Sequence, residues 1–352
     1  MDQFDLHPLL FGDLDKNFAA WYANRSYSTI FLICDINTAV HCAPYFFEKT
    51  GLPKDLQMVV VPAGERHKNM ETCQQIWTAM FEAGLDRKAL VINLGGGVIG
   101  DMGGFCAATY KRGVDFLQLP TTLLSATDAS VGGKLGIDFQ QIKNAVGVFQ
   151  NPAGVILDAT FFQTLPKAEL HSGFAEVIKH AIIGSPELWS KIASLMDLNH
   201  VDWDLILRLS VGVKAKVVQQ DPLEKGLRAV LNYGHTIGHA LESYFLETTE
   251  PLTHGAAIAW GMVCETRILE QRHGRQALIV SADELAAYLS RFFEKRTLSP
   301  TAFDAIWALM FQDKKNNSGQ IKMGLPTMAP FGLEWIVPSR GEVDGVLSLP
   351  FG

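Results

Sequence analysis

The chain has 352 residues, enough for two domains of ordinary size, and its 48% hydrophobic and 19% charged residues are typical of a globular protein with a large core. The net charge of -7 argues against a general nucleic-acid-binding protein, because no basic surplus is available to neutralise phosphates. The five cysteines are scattered and odd in number, which indicates buried thiols in a reducing compartment rather than a disulfide framework.

The N-terminus lacks the basic and apolar segments of a secretory signal, and no apolar run is long enough to span a bilayer. We therefore expect a cytoplasmic protein that binds neither membranes nor nucleic acids.

Short apolar runs alternate with helical patterns, such as that over residues 70–83, through the first half of the chain. This alternation predicts a doubly wound α/β layer with parallel strands. The predicted strands are residues 29–34, 56–61, 89–94, 114–119 and 155–157.

From about residue 166 the pattern becomes mostly helical. A turn at residues 316–319 and a short strand at 321–325 follow the helices. The sequence thus predicts an α/β domain over residues 1–165 and a mainly α-helical domain over residues 166–352. The predicted helices are residues 168–183, 203–220, 236–245, 256–269 and 282–293, with one more amphipathic helix over 303–311.

A glycine-rich turn follows the third predicted strand. Residues 95–100 fit the pattern G-x-G-x-x-G before a helix, which lets a backbone approach a pyrophosphate, although glycines also serve packing alone. The acidic residue of the standard dinucleotide fingerprint is missing. Thr121, Thr122, the segment 128–134 and Lys143 add hydroxyls, small residues and lysines that suit phosphate or ribose contacts.

Histidines and buried charges mark the second half of the chain. His235 and His239 lie one helical turn apart, a spacing at which two imidazoles can bind one transition metal, and His254 follows. Separate salt bridges or surface histidines are the alternative for each residue alone. A metal bound by Glu and His, surrounded by cations that hold a phosphate and a carboxylate, explains the whole set together. That set is Glu176, Lys179, Lys214, Arg228, Asn232, His235, His239 and His254.

In combination these motifs resemble the 3-dehydroquinate synthase family of sugar-phosphate cyclases, from about Asp35 to about Leu325. The resemblance implies an NAD-binding α/β N-terminal domain and a mostly α-helical C-terminal domain that binds metal and substrate. The motifs that carry it are residues 95–101, 110–113, 120–124, 128–134, 143–144, 175–179, 232–239, 254–255 and 313–315.

The resemblance also implies the site residues. One divalent metal, zinc or cobalt, would be bound by Glu176, His235 and His254, whereas His239 would face the substrate. The implied NAD+ contacts are Asp35, Asn37, Glu65, Lys68, Gly97, Val98, Ile99, Gly100, Asp101, Thr121, Thr122, Asp128, Lys134, Lys143, Phe161 and Thr164. The implied substrate contacts are Arg112, Lys134, Asn144, Lys179, Lys214, Arg228, Asn232, His239 and Lys315. In the family, the arginine that corresponds to Arg112 reaches into the active site of the partner subunit. The resemblance therefore implies a homodimer.

The implied reaction converts 3-deoxy-D-arabino-heptulosonate 7-phosphate to 3-dehydroquinate and phosphate. It is a lyase reaction of the shikimate pathway, which leads to chorismate and the aromatic amino acids. Transient oxidation by NAD+ precedes phosphate elimination, reduction, ring opening and an aldol closure, so NAD is not consumed.

The chain departs from the family pattern at two positions. Ala256 follows His254-Gly255 where the family usually has Glu, and Pro222 follows Asp221 where it also has Glu. The alternatives are a cyclase of neutral sugar phosphates, a metal-dependent polyol dehydrogenase and a non-catalytic nucleotide-binding relative. Lys134, Arg228 and Lys315 favour a substrate that carries a carboxylate.

Overall fold

A computed structural model of the protein describes residues 7–140, 142–246, 248–311 and 320–349. The chain forms two compact units. The first comprises the residues up to Pro166 together with Trp203–Val211, and the second comprises Lys167–Asp202 and the residues from Gly212 onwards. All five cysteines are buried thiols. None of the described helices is sufficiently long and apolar to cross a membrane.

A parallel six-stranded sheet forms the centre of the first unit. The strands of this unit are β1 (Leu9–Phe11), β2 (Ile30–Asp35), β3 (Met58–Val61), β4 (Leu90–Gly95), β5 (Asp115–Pro120), β6 (Lys134–Phe139), β7 (Ile142–Phe149) and β8 (Gly154–Leu157). The sheet order is β1-β8-β5-β4-β2-β3, and β6 pairs with β7 in a separate antiparallel hairpin. Every residue of β4 is buried, as expected for a central strand covered on both faces.

Helix α5 lies unusually close to the sheet. The helices of the first unit are α1 (Leu14–Tyr22), α2 (Ile36–His41), α3 (Ala43–Thr50), α4 (Met70–Glu82) and α5 (Gly97–Thr109). A Cβ atom at Gly103 would lie 2.2 Å from Asn93 Oδ1, and one at Gly104 would lie 2.5 Å from Leu135 Cδ2. Gly103 therefore allows a close approach to strand β4 of the sheet, and Gly104 allows one to β6 of the hairpin.

The first unit also contains a segment from much later in the chain. Within it, Trp203 packs edge-on against Phe162 with ring centroids 6.0 Å apart. Arg208 Nη2 donates a hydrogen bond to Phe11 O at 3.2 Å. These contacts tie residues 203–211 to the two ends of the preceding α/β segment.

Helices make up most of the second unit. They are α6 (Lys167–Gly184), α7 (Pro186–Ile192), the later part of α8 (Trp203–Gln220), α9 (His235–Leu246), α10 (His254–His273), α11 (Ala282–Leu289), α12 (Pro300–Phe311) and α13 (Arg340–Leu347). Strands β9 (Met323–Pro326) and β10 (Leu333–Ile336) form an antiparallel pair. Helices α9 and α10 pack backbone against backbone, because a Cβ atom at Gly261 would lie 2.0 Å from Gly234 O.

The predicted fold class is confirmed: a parallel α/β unit precedes a mainly helical one. The five predicted strands correspond to β2, β3, β4, β5 and β8, and each predicted helix is present. The short strand predicted at residues 321–325 corresponds to β9. Strand β1, the hairpin β6–β7 and strand β10 were not predicted. The predicted turn at residues 316–319 lies outside the described residues.

Candidate active site

The strand order creates a switch point between β2 and β4, since the chain adds β3 on one side of β2 and β4 on the other. In open parallel sheets, ligands bind beyond the carboxyl ends of the strands at such a point. Strand β2 ends at Asp35 and β4 ends at Gly95. The residues predicted to contact NAD+ directly after these strands, Asn37 and Gly97, therefore follow the two strands that flank the switch point.

The first turn of α5 is suited to bind an anion. Its N-cap is Gly96, and no side chain caps it among the described residues. The initial N–H groups of a helix have no partner within the helix and favour a phosphate group. A Cβ atom at Gly96 would lie 3.1 Å from Thr122 Cγ2, so a larger residue would crowd this turn. The geometry fits the pyrophosphate of a dinucleotide.

Lys68 joins residues that were predicted for two different ligands. Its side chain is 4% exposed, and Nζ lies 2.7 Å from both Asp101 Oδ2 and Asn144 Oδ1. Burial lowers the pKa of Lys68, but the charges of Asp101 and Glu65 outweigh burial and raise the pKa above its usual value. The lysine is therefore a fixed positive charge that orients one predicted NAD+ contact and one predicted substrate contact.

The other predicted residues of the first unit differ in accessibility. Asp35 Oδ1 accepts hydrogen bonds from the backbone N–H groups of Asn37 at 2.8 Å and Thr38 at 2.9 Å, and so caps α2. Phe161 is buried and packs edge-on against Tyr45, and Thr164 Oγ1 donates to Phe161 O at 3.3 Å. Thr121 is buried, Asp128 is half-buried, and Arg112, Lys134 and Lys143 are exposed.

In the second unit, Glu176 is the central acidic residue. Glu176 and Lys179 are three residues apart on α6, and both side chains are 1% exposed. Lys179 Nζ forms an ion pair with Glu176 Oε2. Among the described residues, Glu176 Oε1 has no hydrogen-bond partner. It lies 3.5 Å from His235 Nε2 and 3.9 Å from His254 Nε2.

Both of these histidines are held through their Nδ1 atoms. His235 Nδ1 lies 3.1 Å from Tyr233 O, and His254 Nδ1 lies 3.2 Å from Glu242 Oε2. When each Nδ1–H donates to its oxygen acceptor, each Nε2 is left with a lone pair beside Glu176 Oε1. These three atoms form a set of one oxygen and two nitrogen donors of the kind that binds a transition-metal cation.

The distances fit a divalent metal ion. Two ligands bound at about 2.0–2.2 Å in a tetrahedral site lie about 3.3–3.6 Å apart. The separation of Glu176 Oε1 from His235 Nε2, 3.5 Å, falls in this range, and that from His254 Nε2, 3.9 Å, is slightly longer. His239 lies near this group, with its ring centroid 5.1 Å from that of His235. The three histidines also present ligand atoms within 4.8 Å of one another.

A loop before α9 holds the predicted substrate residue Arg228. The Asp221 carboxylate accepts hydrogen bonds from the backbone N–H groups of Lys225 at 2.8 Å, Gly226 at 2.8 Å and Arg228 at 3.0 Å. These hydrogen bonds lower the pKa of Asp221, and the bond from Lys225 has the largest effect. Arg228 is buried, and its Nη1 donates to Pro222 O at 2.7 Å, so the residue that departs from the family pattern contributes its carbonyl here.

Two further predicted substrate residues of the second unit lie in different surroundings. Asn232 Nδ2 donates to Glu224 Oε1 at 3.1 Å, and Lys214 is buried on α8. The last predicted substrate residue, Lys315, lies outside the described residues.

Comparison with known proteins decides the family. Residues 58–172 match the sequence profile of the 3-dehydroquinate synthase N-terminal domain, and residues 173–316 match that of the C-terminal domain. A 3-dehydroquinate synthase from Parabacteroides distasonis is 37% identical over 316 residues, which cover 89% of this chain and 88% of the relative. The chain belongs to the 3-dehydroquinate synthase family. The predicted family is confirmed.

Solved structures support the fold of this 3-dehydroquinate synthase family member. A 2-epi-5-epi-valiolone synthase from Streptomyces hygroscopicus, solved with NAD+ and Zn2+, has a TM-score of 0.78 and 24% identity and covers 97% of this chain and 95% of its own. A 2-deoxy-scyllo-inosose synthase in complex with carbaglucose-6-phosphate, NAD+ and Co2+ has a TM-score of 0.77 and 21% identity, with 97% and 96% coverage. At these identities the likeness is one of fold.

Two carboxylates near the histidines of this family member, Glu242 and Glu265, were not predicted from the sequence. Glu242 lies seven residues after His235, on the same face of α9, and that spacing could have revealed it. Glu265 is a single carboxylate in the apolar part of α10, where a buried charge signals a specific partner. It is fully buried and accepts hydrogen bonds from backbone N–H groups at the start of α9.

Proposed function

We propose that the protein converts 3-deoxy-D-arabino-heptulosonate 7-phosphate to 3-dehydroquinate and phosphate. The observation that carries the proposal is the proximity of the buried Glu176 Oε1 to His235 Nε2, at 3.5 Å, and to His254 Nε2, at 3.9 Å, in a chain that belongs to the family of this enzyme. The activity places the protein in the shikimate pathway.

We infer that the enzyme uses NAD+ and one divalent metal ion. Two structural neighbours carry NAD+ together with Co2+ or Zn2+. Glu176, His235 and His254 would hold the ion, which supplies a Lewis acid that polarises oxygen atoms of the substrate. NAD+ would bind at the β2–β4 switch point, with its pyrophosphate at the first turn of α5, and supplies a reversible hydride acceptor.

The protein's own residues provide charge and orientation. Lys179 neutralises Glu176 Oε2 and leaves Oε1 as the metal-binding oxygen. Lys179, Lys214 and Arg228 are buried cations, which favours their binding the phosphate and carboxylate of the substrate. The proposed substrate contacts remain Arg112, Lys134, Asn144, Lys179, Lys214, Arg228, Asn232, His239 and Lys315.

The oligomeric state and the location in the cell are also part of the proposal. The enzyme would be a homodimer in which the exposed Arg112 completes the partner's site, and its left-handed backbone conformation (φ 69°) supports a specialised role for this position. The buried, unpaired cysteine thiols support a reducing, cytoplasmic location.

Phosphate release tests the proposed reaction. Purified protein with NAD+, Co2+ and the heptulosonate phosphate should release phosphate, and steady-state NADH should not accumulate because the hydride returns to the substrate. Removal of the metal with a chelator should abolish phosphate release, and added Co2+ should restore it.

Two control substrates separate the alternatives. Release of phosphate from a neutral sugar phosphate, but not from the heptulosonate, would identify a different cyclase. Accumulation of NADH with a simple polyol such as glycerol would identify a dehydrogenase. Either result would contradict the proposal.

A further inference from the structure

Helices α9 and α10 support each other's first residue. Helix α9 begins at His235 and α10 begins at His254, the two proposed histidine ligands. Helix α9 also carries Glu242, which contacts His254, and α10 carries Glu265, which contacts the start of α9. Each helix thus presents a histidine at its beginning and a carboxylate to the beginning of the other helix.

Glu265 binds the backbone at the start of α9. Its Oε2 accepts from Gly234 N at 2.6 Å, and its Oε1 accepts from Thr236 N at 3.1 Å and Ile237 N at 3.2 Å. First-turn N–H groups have no partner within their own helix, and a carboxylate is favoured there by the helix dipole. Glu265 therefore acts as an N-terminal cap supplied by another helix.

This cap reaches the ring of His235 through a single peptide group. The N–H of the peptide between Tyr233 and Gly234 donates to Glu265, and the carbonyl of the same peptide accepts from His235 Nδ1 at 3.1 Å. A peptide group is planar, so fixing its N–H also fixes the direction of its carbonyl. Glu265 thus determines where the acceptor of the His235 ring lies.

Close packing prevents this peptide from turning. Gly234 has a φ of 80°, and a Cβ atom on it would lie 2.5 Å from Met262 Cγ and 2.8 Å from Ile258 O. The backbone at Gly234 is therefore in contact with α10, which also carries Glu265. The position of the carboxylate relative to the peptide is set by the contact of two helices rather than by a flexible loop.

Glu242 provides the equivalent support for His254. Its Oε2 lies 3.2 Å from His254 Nδ1, and its side chain is 18% exposed. A carboxylate on the remote nitrogen of a metal-bound imidazole fixes the tautomer and the ring direction and raises the basicity of the ligand. The residue after His254-Gly255 in this chain is Ala256, so this carboxylate comes from α9 instead of from the His254 segment itself.

We propose that Glu242 and Glu265 are positioning residues of the metal site, each orienting the histidine at the start of the other helix. The inference rests on the proposed function, because it requires His235 and His254 to be metal ligands. Its consequence is that the metal affinity depends on two side chains that do not touch the metal.

Metal binding by the apoprotein tests this inference. The variants are Glu242→Ala, Glu242→Gln and Glu265→Gln, and the matched control is Glu270→Gln, another α10 carboxylate that accepts a backbone N–H, from Ala282 at 2.9 Å. Binding of Co2+ is followed by visible absorption, NAD+ binding by calorimetry and folding by thermal unfolding. Glu242→Ala and Glu265→Gln should weaken Co2+ binding by about 10- to 100-fold.

The conservative variant gives a second check. The amide oxygen of Glu242→Gln can still accept from His254 Nδ1, so its Co2+ affinity should lie between those of Glu242→Ala and the wild type. NAD+ affinity should be unchanged in every variant, and Co2+ affinity should be unchanged in Glu270→Gln.

Three outcomes would overturn the inference. If the variants bind Co2+ as tightly as the wild type and only unfold at lower temperature, the two carboxylates are structural. If Glu265→Gln does not fold, unaltered Co2+ affinity of Glu242→Ala decides against the proposal. If the wild type itself binds no Co2+, the metal site of the proposed function fails and the inference fails with it.

Discussion

At the scale of single residues, the three clustered histidines are not equivalent. Spacing alone predicts that His235 and His239 bind one metal together. In the structure, however, the Nε2 atoms of His235 and His254 are the ones near Glu176 Oε1, at 3.5 and 3.9 Å. The geometry therefore favours a site built from three separate helices over one built from a single helical turn.

The two histidines of α9 should respond differently to replacement. His235→Ala removes a proposed ligand and should abolish stoichiometric Co2+ binding. His239→Ala should keep Co2+ affinity within about 3-fold while lowering kcat by about 100-fold or more, because it leaves the ligands intact but removes a group that faces the substrate. Equal loss of Co2+ binding in both variants would show that His239 is a ligand.

The buried charges of the site could be predicted from sequence, whereas their partners could not. Glu176 and Lys179 stand out because ionic groups in an apolar helix need compensation. The periodicity of a helix gives the face on which Glu242 lies, but it does not give the residue of another helix that it contacts. For the same reason the backbone bonds of Glu265 could be found only in the structure.

At the scale of elements, the glycine-rich turn and the helix after it have separate reasons to contain glycine. The turn at residues 95–97 is proposed to let an anion reach the backbone, while Gly103 lets α5 lie on the sheet. The pattern G-x-G-x-x-G ends at residue 100, so it gives no reason for the glycine at position 103. The hairpin β6–β7 was missed because most of β7 is exposed and gives no clear apolar alternation.

Two glycine substitutions in α5 should affect stability differently. In Gly103→Ala the new Cβ would lie 2.2 Å from the buried Asn93 Oδ1, and this overpacking should lower the free energy of unfolding by about 1–3 kcal/mol. In the matched variant Gly100→Ala the nearest atom, Gln118 Oε1, would be 3.4 Å away. Alanine there should leave stability unchanged or raise it by about 0.5–1 kcal/mol.

Urea unfolding followed by circular dichroism measures both changes. The Gly103 position would be shown to tolerate a side chain if both variants unfolded at the same urea concentration as the wild type.

At the scale of the whole molecule, the proposed homodimer predicts complementation between inactive variants. Arg112→Ala would impair the partner's site, whereas Lys214→Ala would impair its own. In a randomly mixed population about a quarter of the sites would then contain both wild-type residues, so about a quarter of the wild-type activity should return.

The matched control for complementation mixes Lys214→Ala with Arg228→Ala. Both residues are proposed to act within their own subunit, so no intact site can form and activity should stay at the level of the separate variants. If the dimers exchange subunits slowly, activity should return only after the two variants have been unfolded and refolded together. Failure of the Arg112 mixture to exceed this control would contradict a shared site.

The fold class could be predicted because alternation of apolar runs and helical patterns is a local property of the sequence. Membership of residues 203–211 in the first unit is not local. Helical periodicity continues without a break through α8. Nothing in the sequence pattern therefore shows that the first unit ends at Val211, in the middle of this helix. Contacts such as those of Trp203 and Arg208 reveal it.

This non-contiguous first unit has a consequence for synthesis of the chain. Trp203 and Arg208 cannot meet Phe162 and Phe11 until the ribosome has added residues 167–211. At about 5–20 residues per second, this requirement delays completion of the α/β unit by roughly 2–9 s after Pro166 is made. Helix α6, which carries Glu176, is therefore synthesised before the unit that precedes it in the chain can be finished.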